Sequence, residues 1–280
     1  MIITPNILSA TKATSGIIDE TSLRLSTGKR LNSASDDPMA FSRVAVTKTS
    51  ISTTSVSLNV LEHGMNRLDA RDQTLGSMQD TLARFQELAT MASAGLYRLS
   101  DLLPEMKSLE KAMLSLANTK DASGYLFAGN ANVQPFEVDT AGNAVYNGSP
   151  TAQKITVEGI SISGAVAGTP LLGVFQAMRE VIASVEGGVA PTTAMVGSVN
   201  TATETILSMR TEGAAEGAGA KQVINSLTKR YDREREEVAQ LEEADMTLEM
   251  TRFTEAQKQY EAIMKITASR LNQRRLMDYL

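Results

Sequence analysis

The sequence predicts a mainly α-helical protein: a long antiparallel, coiled-coil helical rod formed by both termini and the central helices, with a small mixed β-containing insert. Apolar residues recur at helical spacing along both ends of the chain. Leu61, Leu68, Leu75 and Leu82 are each seven residues apart, a spacing that favours left-handed packing against other helices. Aromatic residues make up only 4% of the chain and Trp is absent, as in cores built from Leu, Met, Ala and Ile.

The apolar stripes at the two ends have no globular partner beside them in sequence. The stripe at the second end continues to the last residue, whereas loose termini are usually polar. We therefore expect the two ends to pair with each other and then to pack against further copies of the chain. The expected assembly interface contains apolar residues from both ends: Ile3, Ile7, Leu8, Ile17, Ile18, Leu25, Leu248, Phe253, Tyr260, Ile263, Met264, Leu271, Leu276 and Leu280.

The first predicted helix has recognisable start and stop signals. Thr4 precedes Pro5, as an N-cap precedes proline in the first turn, and Gly28 ends the helix. Turn-forming residues follow at 33–38, and Pro38 opens the next helix. Asp36 and Asp37, just before this proline, are expected to cap that helix and to complement its dipole rather than to bind a metal.

The long second helix is expected to break at Gly95, and a third helix to begin near Ser100. Asp72 and Gln79 interrupt the seam of the second helix, because they occupy positions where apolar side chains are expected. The last part of the chain is again read as helical, with one seam: Ile224, Leu227, Tyr231, Val238, Leu241 and Leu248.

Between the helical parts, Gly and Pro become frequent and β-branched residues alternate. Residues 154–163 have strand periodicity with Gly159 as a turn signal, and residues 170–185 have one apolar helical face. The predicted division is therefore threefold: an inner terminal coiled-coil domain of residues 1–38 with 240–280, a helical rod domain of 39–123 with 197–239, and a small outer β-containing insert of 124–196.

Composition excludes several function classes. The net charge of −5 argues against a nucleic-acid binder, and the absence of cysteine excludes disulfides and Cys-ligated metals. No apolar run reaches the length of a membrane span, and the start lacks the pattern of a cleaved secretory signal.

Candidate chemical groups are few. His63 is the sole histidine, and the Gly213–Lys221 segment departs from a phosphate-binding loop because Ala220 separates Gly219 from Lys221. The segment is better explained as small residues that let helices approach. We expect no catalytic residue, no cofactor and no metal, and hence no enzyme.

Three stretches of the sequence resemble the bacterial flagellin superfamily. The stretch LSTGKRLNSASDDP at residues 25–38 resembles its N-terminal signature, as do FQELA at 85–89 and MASAG at 91–95. The turn motif that the resemblance marks as a site comprises Gly28, Arg30, Asp36, Asp37 and Pro38.

Within the superfamily, the chain is most like the hook–filament junction proteins. Pro38 after two aspartates, GYLFAG at 124–129 with QPF at 134–136, and the ending LMDYL are similar to that branch, whereas the triplet at 32–34 is more like flagellin. A flagellin filament subunit is therefore the alternative. A membrane-acting helical protein secreted by a related system is a further one, although it would need an apolar or Lys/Arg-rich amphipathic segment.

The resemblance implies a non-enzymatic adaptor located outside the cell, at the hook–filament junction of the flagellum. Its implied partners are further copies of itself in a ring or helical homo-oligomer, the first hook-associated protein, flagellin, a flagellar export chaperone and the type III export apparatus. In this arrangement the paired ends form the inner layer, the longer helices form the next layer, and the insert faces outward.

Overall fold

The computed structural model describes the backbone of residues 5–95 and 97–277 and the side chains of residues 7–95 and 97–270. The described chain is mainly helical, as the sequence predicts. Its helices are α1 (Pro5–Thr27), α2 (Pro38–Ser93), α3 (Leu99–Ala117), α4 (Leu171–Glu186), α5 (Thr193–Glu242) and α6 (Met246–Met277). Its strands are β1 (Lys120–Asp121), β2 (Gly124–Tyr125), β3 (Phe136–Val138), β4 (Ala144–Tyr146), β5 (Gln153–Val157) and β6 (Ile160–Ala165).

The helix boundaries follow the local signals closely. α1 ends before Gly28, whose φ of 69° suits glycine and whose N–H donates to the Arg24 carbonyl at 2.8 Å. α2 begins at Pro38 and ends before Gly95, which also has a positive φ of 69°. The Asp37 carboxylate caps α2 by accepting a hydrogen bond from the Ala40 N–H at 3.0 Å. The predicted cap at Thr4 lies outside the described residues.

Asp36 has a different role from the one the sequence suggested. Its carboxylate accepts hydrogen bonds from the backbone N–H groups of Asn32 and Ser33, at 2.9 and 2.8 Å, and therefore closes the preceding turn. The prediction that both aspartates cap α2 is thus right for Asp37 and wrong for Asp36. An Asp side chain can satisfy either kind of backbone donor, and the path of the chain decides which is within reach.

The final helical region is also interrupted where the sequence suggested a continuous seam. α5 ends at Glu242 and α6 begins at Met246, with the Asp245 carboxylate accepting from the N–H groups of Thr247 and Leu248. Leu248, predicted to continue the α5 seam, lies on α6 with 47% of its surface exposed. The cap formed by Asp245 begins a new helix after three non-helical residues, so the helical repeat that relates the seam positions of α5 does not continue across the break.

Two compact units make up the chain, Met1–Ser55 with Lys229–Leu280, and Val56–Thr228. The finer threefold division by residue range stays a prediction. In the second unit, the four heptad leucines of α2 are all buried, and the largest core cluster joins α2, α3, α4 and α5 around Phe85, Phe136 and Phe175. No described helix is both long enough and apolar enough to pass through a lipid bilayer.

The strands form three separate antiparallel pairs, β1 with β2, β3 with β4, and β5 with β6. The segment with strand periodicity is a hairpin, whose turn contains Glu158 and Gly159 at φ values of 50° and 80°. Ile162 of β6 is fully buried in a cluster with Leu61 and Leu68. A Cβ atom at Gly64 would lie 3.2 Å from the Ile162 side chain, so this glycine lets the hairpin approach α2 closely.

Two buried arginines of α2, Arg67 and Arg71, connect this helix to strand β2 and, through Glu216 of α5, to strand β6. Arg67 donates to the backbone carbonyl of Tyr125 at 2.9 Å. Arg71, one turn later, lies 3.4 Å from the carboxylate of Glu216 on α5, which accepts a 2.6 Å hydrogen bond from the Ser163 hydroxyl on β6. Arginines so deeply buried are stable only when hydrogen-bonded, and these two connect three parts of the second unit.

Candidate assembly interface

The two ends of the chain pair as antiparallel helices. α1 and α6 pack along each other. Ala244 donates from its backbone N–H to the Gly28 carbonyl at 3.0 Å, and a guanidinium nitrogen of Arg24 lies 3.3 Å from the Glu249 carboxylate. Further along, Ile17 and Ala256 line one cleft of about 340 Å³. The sequence number therefore falls on one helix as it rises on the other, and the pairing expected from the apolar stripes is present.

A short backbone bridge joins the end of α1 to the gap between α5 and α6. The Arg30 N–H donates to the Glu242 carbonyl at 2.7 Å, and the Arg30 guanidinium donates to the Leu241 carbonyl at 2.8 Å. These two contacts occupy carbonyl groups that the end of α5 leaves without helical partners, and the Ala244 N–H in turn donates to the Gly28 carbonyl just after α1. The Gly28 and Arg30 positions of the turn motif thus connect the two chain ends.

Charge reinforces this bridge. The ammonium groups of Lys29 and Lys48 lie 2.8 and 2.7 Å from the Glu242 carboxylate. Burial alone would raise the pKa of Glu242, but hydrogen bonds and charge from the two lysines outweigh it and lower that pKa below its ordinary value. A small cluster of Leu31, Ala40 and Val44, with Val238 and Leu241 packed against it, lies in the same unit.

The turn that ends in Pro38 is closed by Asp36. Hydrogen bonds from the backbone N–H groups of Ser33 and Asn32 lower the pKa of the exposed Asp36 carboxyl. Pro38 itself starts α2 with a residue that lacks an N–H, at a position where that donor would have no helical partner. All five motif residues therefore lie in or beside the connection between α1 and α2.

The predicted interface residues divide into an inward and an outward set. The inward set consists of half-buried side chains: Ile7, Ile18, Leu25, Phe253, Tyr260 and Ile263. The outward set keeps about half of each side chain exposed: Leu8 (63% exposed), Ile17 (44%), Leu248 (47%) and Met264 (48%). Ile3 and Leu280 lie outside the described residues, as do the side chains of Leu271 and Leu276. The first unit also exposes other large apolar side chains, among them Met39, Val46, Met250 and Ile266.

The most deeply buried side chains of the helix pair were missed by sequence reasoning. They are Thr14, Thr21, Glu249 and Ala256, each at most 6% exposed. A search for large apolar residues overlooks them, although Ile7, Thr14 and Thr21 share the seven-residue spacing of a helix seam. The terminal pair thus has a small and polar seam, while several of its largest apolar residues face outward.

The other candidate groups have structural surroundings. His63 is exposed on α2, and no cluster of possible metal ligands occurs among the residues that the structure describes. The Gly213–Lys221 segment lies within α5. A Cβ atom at Gly213 would lie 2.5 Å from the Arg71 guanidinium, so any larger residue would require that guanidinium to shift.

Comparison with known proteins places both helical ends in one family. The family model for the bacterial flagellin N-terminal helical region matches residues 2–132, and that for the C-terminal helical region matches residues 196–280. Flagellar hook-associated protein 3 of Escherichia coli (strain K12) is 30% identical over 110 residues. This match covers 38% of the chain and 35% of the relative, so it spans only about a third of that curated protein.

Solved structures agree on the fold. The flagellar junction protein FlgL from Legionella pneumophila has a TM-score of 0.60 at 14% identity, covering 72% of this chain and 100% of that one. FlgL from Bacillus cereus has a TM-score of 0.58 at 18% identity, covering 68% and 99%. A putative flagellar hook-associated protein from Vibrio parahaemolyticus has a TM-score of 0.56 at 18% identity, covering 75% and 97%.

The family assignment agrees with the resemblance drawn from the motifs, and it assigns the chain to structural proteins rather than enzymes. The two matched regions together span well over half of the chain and include both terminal helices. The chain therefore belongs to the bacterial flagellin family.

Proposed function

We propose that this chain is a structural adaptor of the bacterial flagellum, located outside the cell at the hook–filament junction. It joins the hook, through the first hook-associated protein, to the flagellin filament. Copies of the chain assemble into a ring or helix through their paired terminal helices. The family membership of both ends supports the flagellar role.

The observation that carries the assembly mechanism is the outward set on the terminal pair. Leu8 and Ile17 on α1, and Leu248 and Met264 on α6, present large apolar surfaces that the chain itself leaves exposed. Full burial of a large apolar side chain contributes roughly 1.5–3 kcal/mol, and about half of that gain remains available at each of these half-exposed positions. Four of them, repeated on every copy, provide a strong driving force for side-by-side packing when neighbouring subunits cover them.

The junction role is favoured over the filament role by the relatives with which the chain shares sequence or fold. The curated relative is named a hook-associated protein, and two of the solved structures above are named FlgL. The motifs that end in Pro38 and in the C-terminal LMDYL point to the same branch.

The alternative is a flagellin filament subunit, which is supported by the flagellin description of both matched family models. Deletion of the gene separates the two roles. Loss of a junction protein should leave hooks intact while unpolymerised flagellin appears in the medium. Loss of a sole flagellin should leave hooks without any such leaked subunit, and that result would overturn the junction role.

Copy number offers a second test. A junction protein forms a short collar, so each flagellum should carry about one turn of subunits, far fewer than the flagellin in its filament. Quantitative mass spectrometry of purified flagella measures the ratio directly. A copy number that rises in proportion to filament length would identify a filament subunit instead.

Export is part of the proposal. The subunit leaves through the flagellar type III apparatus without signal cleavage, and a cytoplasmic chaperone holds its C-terminal helix before export. The exposed apolar residues of α6, such as Met250 and Ile266, support the need for a chaperone, because they would otherwise promote association inside the cell. A pull-down with the intact chain and with a chain lacking α6 tests this step, since only the intact chain should retain the chaperone.

A further inference from the structure

Apart from Glu249, the most deeply buried positions of the seam between α1 and α6 contain little that could select one helix partner over another. Thr14 and Thr21 are 6% and 4% exposed, and their hydroxyls donate to the carbonyls of Ala10 and Ile17 on their own helix, at 2.9 and 2.7 Å. Their remaining methyl groups can pack against almost any small or apolar neighbour. Ala256 is 4% exposed, and its methyl group likewise does not select a particular neighbour.

The seam of α1 also repeats itself. Thr14 and Thr21 are seven residues apart, so a slip of α1 by one heptad, roughly 10 Å along the axis, would exchange one threonine for the other. The backbone hydrogen bond between Gly28 and Ala244 holds one end of the α1–α6 pair together, but backbone hydrogen bonds do not depend on side-chain identity. Neither feature explains why α6 should pair with this α1 alone.

Glu249 is the exception in this seam. It is only 3% exposed, and its Oε1 atom lies 3.3 Å from Arg24 on α1 and 3.2 Å from Arg252 on its own helix. Its Oε2 atom is buried without a hydrogen-bond donor among the described residues. Arg252 moves with α6 whatever lies opposite, so the contact with Arg24 is the part of this arrangement that depends on the partner helix.

Other pairings would leave this carboxylate without a cation from the facing helix. A one-heptad slip brings Ile17 to the level that Arg24 now occupies, since the two residues are seven apart. Pairing of two α6 helices would bury two Glu249 carboxylates in a seam that has no Arg24. A buried charge that loses its partner is strongly destabilising, even where the intact pair adds little net stability.

We propose that the Arg24–Glu249 ion pair selects α1 of the same chain, in one register, as the partner of α6. Arg24 and Glu249 are positioning residues: they exclude slipped and like-with-like pairings in a seam that is otherwise permissive. A buried polar pair that fixes register is an established device of coiled coils. The outward apolar residues can then be presented to neighbouring copies in a single arrangement.

Charge reversal tests the proposal. Two same-helix neighbours would oppose a reversed pair, since Glu20 lies 2.5 Å from Arg24 and Arg252 lies close to Glu249. The background chain therefore carries Glu20→Gln and Arg252→Gln. The full-length background chain is expressed in the source bacterium from which the native gene has been deleted, and motility in soft agar and the chain content of purified flagella are measured.

The background chain keeps the Arg24–Glu249 contact between α1 and α6, so it should restore motility. Adding Arg24→Glu or Glu249→Arg alone should lower the pairing equilibrium by about a hundredfold and remove the chain from flagella. Both changes in one chain should restore motility and incorporation. Co-expression of the two single variants should not restore them, because the pair is formed within one chain.

Each contrary outcome has a distinct meaning. A doubly reversed chain that is exported but fails like the singles would refute a direct pairing of the two residues. Rescue by the co-expressed singles would refute selection within the same chain and show exchange of α1 between copies. The motility readout rests on the proposed function, which fails separately if the unmodified chain does not restore motility to the deletion strain.

Discussion

Arg210 of α5 donates two hydrogen bonds to the carboxylate of Asp72 on α2, from Nε to Oδ1 at 2.8 Å and from Nη2 to Oδ2 at 3.1 Å. Its remaining Nη1 atom donates to Gln79 at 2.9 Å. Asp72 and Gln79 are the two residues that interrupt the apolar seam of α2. One guanidinium on the facing helix satisfies both, so the interruption is a polar cross-link between α2 and α5.

Replacement of Arg210 by Met should therefore destabilise the second unit. Both partners are partly exposed, so we expect a loss of only roughly 0.5–1 kcal/mol in the free energy of unfolding. Urea unfolding followed by circular dichroism measures the loss. Arg84→Met is the matched control: its guanidinium contacts Glu87 and Glu105 at the surface, and its replacement should cost less.

The Arg210 effect should also depend on pH in one direction. The hydrogen bond from Arg210 lowers the pKa of Asp72 below its ordinary value of 3.8. The stability that this pair contributes is present above pH 3.8 and is lost as the pH falls through the lowered pKa. The difference between wild type and Arg210→Met should shrink on acidification, and a difference that grows instead would contradict the assignment.

The outward apolar residues of the terminal pair give a second prediction. Serine at Ile17, or at Leu248, should lower the free energy of unfolding by no more than about 1 kcal/mol, because nearly half of each side chain is already exposed in the isolated chain. Incorporation into flagella should nevertheless fall, since the neighbouring copies lose an apolar contact. Val189→Ser is the control, because Val189 is 60% exposed but belongs to the second unit, which contains neither terminal helix.

Two glycines of the first unit should respond to alanine with opposite signs. Gly28 has a φ of 69°, and a Cβ atom there would meet nothing within 4 Å, so its replacement carries only the backbone strain of about 1–2 kcal/mol. Gly16 lies inside α1 with equally open space, so alanine should stabilise that helix by up to about 1 kcal/mol. Hydrogen exchange of the α1 amides should therefore become faster in Gly28→Ala and slower in Gly16→Ala.

Glu110 on α3 should weaken the fold at neutral pH. Burial is the chief cause of its raised pKa, to which nearby Glu186 adds, while Arg179 and Lys107 oppose the shift. A carboxyl with a raised pKa destabilises the folded state above its unfolded pKa, and the penalty disappears as the pH falls below that value. Glu110→Gln should therefore raise the melting temperature at pH 7 and have little effect near pH 4. An equal effect at both pH values would point to packing rather than charge.

Residues whose role depends on the local backbone could be predicted from the sequence. Gly28 and Gly95 mark helix ends because they adopt positive φ, and Asp37 and Pro38 mark a helix start because their chemistry suits its first turn. The sequence does not predict the break at Asp245, although that residue is a good cap, because apolar residues continue at helical spacing across it. Asp36 was misread because two neighbouring aspartates compete for nearby N–H groups.

Residues whose role depends on a distant partner could not be predicted in this way. Three arginines, at 67, 71 and 210, lie among the seam residues of α2 and α5. Only the folded chain shows that Arg67 contacts a backbone carbonyl, and that Arg71 and Arg210 contact carboxylates, far away in sequence. The same holds for Glu249, whose partner Arg24 is 225 residues away. No periodicity indicates which of many charged side chains will meet.

The sequence by itself determined the helical class, most helix boundaries and the pairing of the two ends, because these follow from backbone preferences and from the need to bury apolar stripes. The tertiary structure alone decided which side of each terminal helix faces its partner. It places threonines and the Arg24–Glu249 pair in the seam and leaves large apolar residues outside. Apolar burial has no direction and tolerates many packings, whereas a buried ion pair is satisfied in very few.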